Sequence, residues 1–127
     1  TTSVNPMDRV SGQNGRNESQ IEFVSDDCAN HASPAAFYAA VIRLLWAGWD
    51  SDSNTDKYIR NAVQTSRSLA DLQRTVTENL GITPIADFTP ALDDPVDIHS
   101  FRDDWNVQEF VWVSGGRYHF MGWDTAA

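Results

Sequence analysis

The sequence predicts an α+β domain, and three stretches carry that prediction. Residues 33–48, SPAAFYAAVIRLLWAG, are punctuated as a helix at both ends and have almost no polar face. Residues 68–81 keep Leu69, Leu72, Val76 and Leu80 at helical spacing between a capping serine and Gly81. Residues 107–123, VQEFVWVSGGRYHFMGW, are two β-rich runs around a glycine turn, the pattern of an antiparallel hairpin. A strand at Ile21 and Phe23, alternating with Gln20 and Glu22, is expected to join that hairpin in one small sheet.

The first of these stretches is expected to be a buried central helix over about 34–47. Ser33 suits the N-cap, Pro34 the first helical position, and Gly48 the left-handed residue that ends a helix. Phe37, Val41, Leu44 and Leu45 make one apolar stripe, with Tyr38, Ile42, Trp46 and Trp49 on its flank and Arg43 as the sole charge. Such a helix is too short to cross a bilayer and needs the rest of the chain, or a partner, to cover it. Arg43 is expected to pair with an internal carboxylate such as Glu22 or Glu109.

Residues 1–19 are polar and glycine-containing, and are expected to be a flexible or partner-held arm, leaving 20–127 as a single α+β domain. After the central helix an acidic loop leads to a second helix, expected over about 55–65, with Tyr58, Ile59, Ala62 and Val63 inward. The third helix begins at Ser68, with Asp71 in its first turn, near the positive end of the dipole. Residues 82–104 hold Pro84, Pro90, Pro95 and six aspartates without a clear period, and read as a long surface connection. In the hairpin, a three-residue loop would set Trp112 against Tyr118 and Phe110 against Phe120. That gathers the aromatics on one face, toward the central helix, so this register is expected.

With 127 residues, 41% hydrophobic, the chain suffices for one core. Its formal charge of −9, with Lys57 the only lysine, disfavours nucleic acid as a partner and favours a basic protein. Neither a secretory signal nor a membrane span is visible, and Cys28 is alone, so a reducing, cytoplasmic setting is expected. No cofactor motif is present.

Four constellations carry possible chemistry. Asp50, Asp52, Asn54 and Asp56 have the spacing of half a calcium loop, but Thr55 stands where that loop needs Gly and Asn61 where it needs Glu. A linker that caps the next helix accounts for them better. Cys28 lies before the central helix, and His119, oriented by Glu109 or Asp124, could complete a cysteine-hydrolase-like set, yet no oxyanion signature surrounds the thiol. His99 with Asp97, Asp103 and Asp104 has metal-ligand types in a pattern equally common in solvated loops. Asp87, Asp93, Asp94, Asp97, Asp103 and Asp104, with Trp105, form an acidic segment suited to steering a basic partner.

The expected function is therefore a non-enzymatic acidic protein-binding module, of inhibitor or immunity type or a small subunit of a larger oligomer or hetero-complex. The alternative is a small enzyme or ligand-binding α+β cone lined by Cys28, Glu109, Arg117 and His119.

Overall fold

The computed structural model describes residues 7–126. Its elements are β1 (Asp8–Asn14), β2 (Ser19–Asp27), a 3-10 turn at Cys28–Asn30, α1 (Pro34–Trp46), α2 (Asp52–Arg60) and β3 (Thr65–Ser66). They continue with α3 (Leu69–Ile82), β4 (Val96–Asp103), β5 (Val107–Ser114) and β6 (Arg117–Thr125). The fold is α+β, with three helices and one six-stranded antiparallel sheet in the order β1-β2-β6-β5-β4-β3. No helix among the described residues is long and apolar enough to cross a membrane.

The sheet is buried on both faces. Ile21, Phe23, Ile98, Phe110, Trp112, Met121 and Trp123 meet Leu72 and Val76 of α3, together with Ile85, Phe88 and Leu92 of the following segment. Val24, Phe101, Val111, Tyr118 and Phe120 meet Phe37, Tyr38, Val41 and Ile42 of α1 on the other side, where Tyr58 and Ile59 of α2 also pack. Because both parities of β2, β4, β5 and β6 find a core, sorting aromatics to one face does not determine register. The hairpin accordingly differs from expectation. Val113 opposes Tyr118, Trp112 opposes His119 and Phe110 opposes Met121. The loop is two residues, Gly115 and Gly116, both at positive φ (62° and 74°), the conformation that a primed turn demands and that matches strand twist. Phe110 and Trp112 lie under α3, and only Tyr118 and Phe120 pack toward α1.

Two stretches read as irregular are strands. Residues 8–14, within the expected arm, form β1 and pair with β2 along their whole length; residues 1–6 lie outside the described residues. The expected surface connection contains β4, whose Ile98, Ser100 and Phe101 are buried. Its register against β5 shifts between Ser100, opposite Phe110, and Arg102, opposite Glu109. Phe101 is therefore the extra residue of a β-bulge, and it and Arg102, neighbours in sequence, both serve the α1 face.

The helices follow their caps. Ser33 Oγ accepts from the Ala36 N–H at the start of α1, and Ser68 and Asp71 form a reciprocal capping box on α3. Helix α1 buries one stripe, Phe37, Tyr38, Val41 and Ile42, rather than its whole circumference. Arg43 is exposed and pairs with Asp56 at 3.2 Å, not with Glu22 or Glu109. Helix α2 begins at Asp52, earlier than expected, because Ser51 caps it by accepting from Asn54 N–H. Its early end leaves Val63 exposed beyond it.

Candidate functional site

On the α1 face, four elements converge on one carboxylate. Glu109 of β5 is buried, and both its oxygens are occupied. Tyr38 of α1 donates to Oε1 at 2.5 Å, and Tyr58 of α2 donates to Oε2 at 2.8 Å. The bulge in β4 brings Arg102 Nε within 3.3 Å of Oε1, as an ion pair without hydrogen-bond geometry. Arg102 is held in place elsewhere: it donates to the Tyr58 carbonyl at 2.6 Å and lies 3.7 Å above the Tyr58 ring centre.

A buried carboxylate costs several kcal/mol unless its lone pairs are satisfied. Burial pushes the Glu109 carboxyl above the usual range, although both tyrosines and Arg102 pull the other way. The phenols of Tyr38 and Tyr58 are pushed well up by burial and by Glu109. They are donors at any physiological pH.

Beside this cluster opens a cleft of about 470 Å³ between the C-terminal half of α1, α2 and the strands β1, β2, β5 and β6. Trp46 and Trp49 form one side, with ring centroids 5.4 Å apart and planes at 79°, and Tyr58 lies 4.4 Å from Trp46. Trp49 is 75% exposed. The opposite side is sheet, where Gly122 leaves room for the Phe120 ring: a Cβ at Gly122 would lie 2.7 Å from it. Three carboxylates, Glu22, Glu109 and Asp124, face one guanidinium, Arg9, in the lining. Glu22 is already matched by Arg9, which donates to it twice at 2.9 and 3.0 Å. Among the described residues the Asp124 carboxylate accepts only from Gln20 Nε2, at 3.1 Å to each oxygen. Burial raises the Asp124 carboxyl above its ordinary value, Gln20 opposes this, and nearby Glu22 adds to it.

The structure does not gather Cys28, Glu109, Arg117 and His119. Cys28 packs on the α1 face near the hairpin turn, its backbone N–H bonded to the Gly116 carbonyl, and burial followed by Asp27 pushes its thiol up. His119 lies against Trp112 on the α3 side of the sheet, donating through Nε2 to the Ser114 carbonyl at 3.1 Å. Burial lowers its pKa, so the imidazole is neutral at pH 7. Glu109 sits near the far end of β5, opposite Gly122, and Arg117 is bound to Asp27 and Asp8.

The half calcium loop is absorbed into helix. Asp50 accepts from Ser51 N–H and Asn54 Nδ2, Asp52 occupies the first turn of α2, and Asp56 faces Arg43. Among the described residues no group of three or more His, Cys, Asp or Glu is placed to hold a metal ion. The acidic segment is divided by β4. Asp93 and Asp97 lie near the hairpin turn, where Ser114 Oγ donates to the Asp93 carbonyl and Val96 opposes Val113. Asp103, paired with Arg67, lies at the other end with Asp104 and the 76% exposed Trp105. The two groups stand roughly 20 Å apart at the rise of a strand.

Sequence reasoning assigned Tyr38 and Tyr58 to helix cores, named Glu22 only as a partner for Arg43 and Asp124 only as a partner for His119, and did not single out Arg102. The available signal was tyrosine in place of phenylalanine on two inward helix faces, since a buried phenol needs a partner. No protein-family model matches the chain, and neither a curated protein nor a solved structure matches it.

Proposed function

We propose that the chain is a non-enzymatic acidic protein-binding module, an inhibitor, immunity-type protein or small complex subunit, that recognises a basic partner surface. The observation that carries this reading is the cleft, where three carboxylates outnumber one guanidinium beside the exposed Trp49. An exposed tryptophan at the rim of a concave acidic surface suits the anchor of a protein interface. The net charge of −9 would steer a basic partner toward it. Asp103 ends β4, and Asp104 and Trp105 lead from it toward Val107, which lines the cleft, and so extend the acidic surface at that end. The single thiol suits a reducing cytoplasm.

A second reading, a ligand-binding α+β cone, draws on the concavity itself, because Glu109, one of its expected lining residues, reaches the cleft.

The test is capture from native lysate on the immobilised full chain, followed by mass spectrometry. Basic proteins are expected, released as salt rises to about 0.5 M and the Debye length shortens, and lost on Trp49→Ala. Capture of neutral or acidic proteins, or release indifferent to salt, would overturn the reading.

A further inference from the structure

We propose that the cleft between α1 and the sheet is a site for an alkylammonium group, seated in the corner of Trp46 and Trp49 with Asp124 as its counter-ion. This rests on the reading of the chain as a binder of basic partners and names the chemical group that the cleft takes.

The charges in the lining single out Asp124. Glu22 is bound by Arg9, and Glu109 has Arg102 and two phenols. Asp124 alone of the three has no cationic partner among the described residues; its bonds from Gln20 are neutral. A partly buried carboxylate without a cation is stabilised by acquiring one. An anionic ligand would meet the unmatched charge and is disfavoured.

The walls narrow the kind of cation. The three carboxylates are not arranged as a metal-ligating group, and the neighbouring surfaces are indole and phenol rings rather than further oxygen ligands. One face of Tyr58 is taken by Arg102. Trp46 meets Trp49 edge to face at 79° and has Tyr58 4.4 Å from its centre, so the 75% exposed Trp49 offers the open indole face beside it, whose ring quadrupole attracts a soft organic cation. The volume of about 470 Å³ is in the range of small-molecule pockets and admits an aliphatic stem behind the head group. Ile42 and Leu45 in the lining offer that stem apolar contact. The ammonium can be carried by a lysine side chain of a partner or by a free amine.

Titration of the full chain, followed by the indole N–H signals of Trp46 and Trp49 in two-dimensional NMR, tests the assignment. The probes are an N-acetyl-lysine methylamide, its neutral isostere N-acetyl-norleucine methylamide, and spermidine. The lysine probe is expected to shift both indoles saturably, with a Kd on the order of 1 mM, whereas norleucine leaves them in place. Asp124→Asn should weaken the lysine probe about tenfold, with the rest of the spectrum confirming the fold. Trp49→Ala, at an exposed position, should weaken it as well. Equal shifts with norleucine, no saturable shift, or undiminished binding by Asp124→Asn would each overturn the proposal. Tighter binding of the lysine probe than of spermidine assigns the site to a protein side chain, and the reverse assigns it to a free amine. Loss of ammonium binding with salt-sensitive capture of basic proteins intact removes the cleft assignment alone. Ammonium binding without such capture removes the protein-binding function alone.

Discussion

The phenol of Tyr38 on α1 donates to Oε1 of Glu109 on β5 at 2.5 Å, joining residues 71 positions apart in a buried hydrogen bond that fixes helix to sheet. Tyr38→Phe keeps the ring stacked on Phe101 but removes the donor. A loss of about 1–3 kcal/mol is expected from leaving a buried acceptor short of a partner. Chemical denaturation measures it, and a variant as stable as the parent would show the bond to be energetically idle.

Glu109 also gives stability a pH dependence of definite sign. Its native carboxyl titrates above the ordinary value of 4.5, so between that value and its native pKa the folded chain holds the extra proton. Stability from this group is full below the unfolded pKa and declines as pH rises through the native one, by at most about 1.4 kcal/mol per pH unit. Asp26 and Asp71, held low, have the opposite slope. The comparison must therefore be against Glu109→Gln. The stability of the parent relative to that variant should fall with rising pH in this window; a constant or rising difference would refute it.

Glycines separate by what surrounds them. Gly116 has φ 74° and open space around a would-be Cβ, so Gly116→Ala should cost about 1 kcal/mol through conformation alone. Gly122→Ala drives a Cβ into the Phe120 ring and should cost about 1–3 kcal/mol. Gly81, inside α3 with open space, should gain up to about 1 kcal/mol as Ala. Urea midpoints that failed to rank the three in this way would contradict the geometry.

Within the proposed function, the division of the acidic segment predicts unequal effects on association. Replacing Asp103, Asp104 and Asp124 by Asn should slow the binding of a basic partner more than replacing Asp93, Asp94 and Asp97. Asp94 and Asp97 have positive φ, which Asn tolerates, so the second set should leave the fold intact. Stopped-flow association at low salt distinguishes the two, and equal slowing would place the partner elsewhere.

The parts of the fold legible in the sequence are those with local causes. Ser33 with Pro34, and Ser68 with Asp71, announce helix starts through hydrogen bonds made within a turn. The alternation of Ile21 and Phe23 gives β2, and the Gly115-Gly116 pair gives the hairpin, though not its register. What stayed hidden depends on distant partners. β1 is an edge strand with mostly exposed side chains, so its composition resembles a linker. The apolar residues of β4 are interleaved with aspartates, and their pattern is broken by a bulge that exists only against β5. Glu109 was legible as a polar residue among valines. The ring of Tyr38, Tyr58 and Arg102 around it, from three separate elements, was not.

The bulge at Phe101 divides two tasks between neighbouring residues. A regular strand would offer one side chain opposite Glu109, which would have to supply both steric fill and electrostatic balance. Here Phe101 stacks on Tyr38 with rings 4.2 Å apart, while Arg102 provides the positive charge. Because fill and charge are carried by separate residues, the packing of Phe101 on Tyr38 does not depend on the side chain at 102, whereas the buried Glu109 carboxylate ties position 102 to a cation.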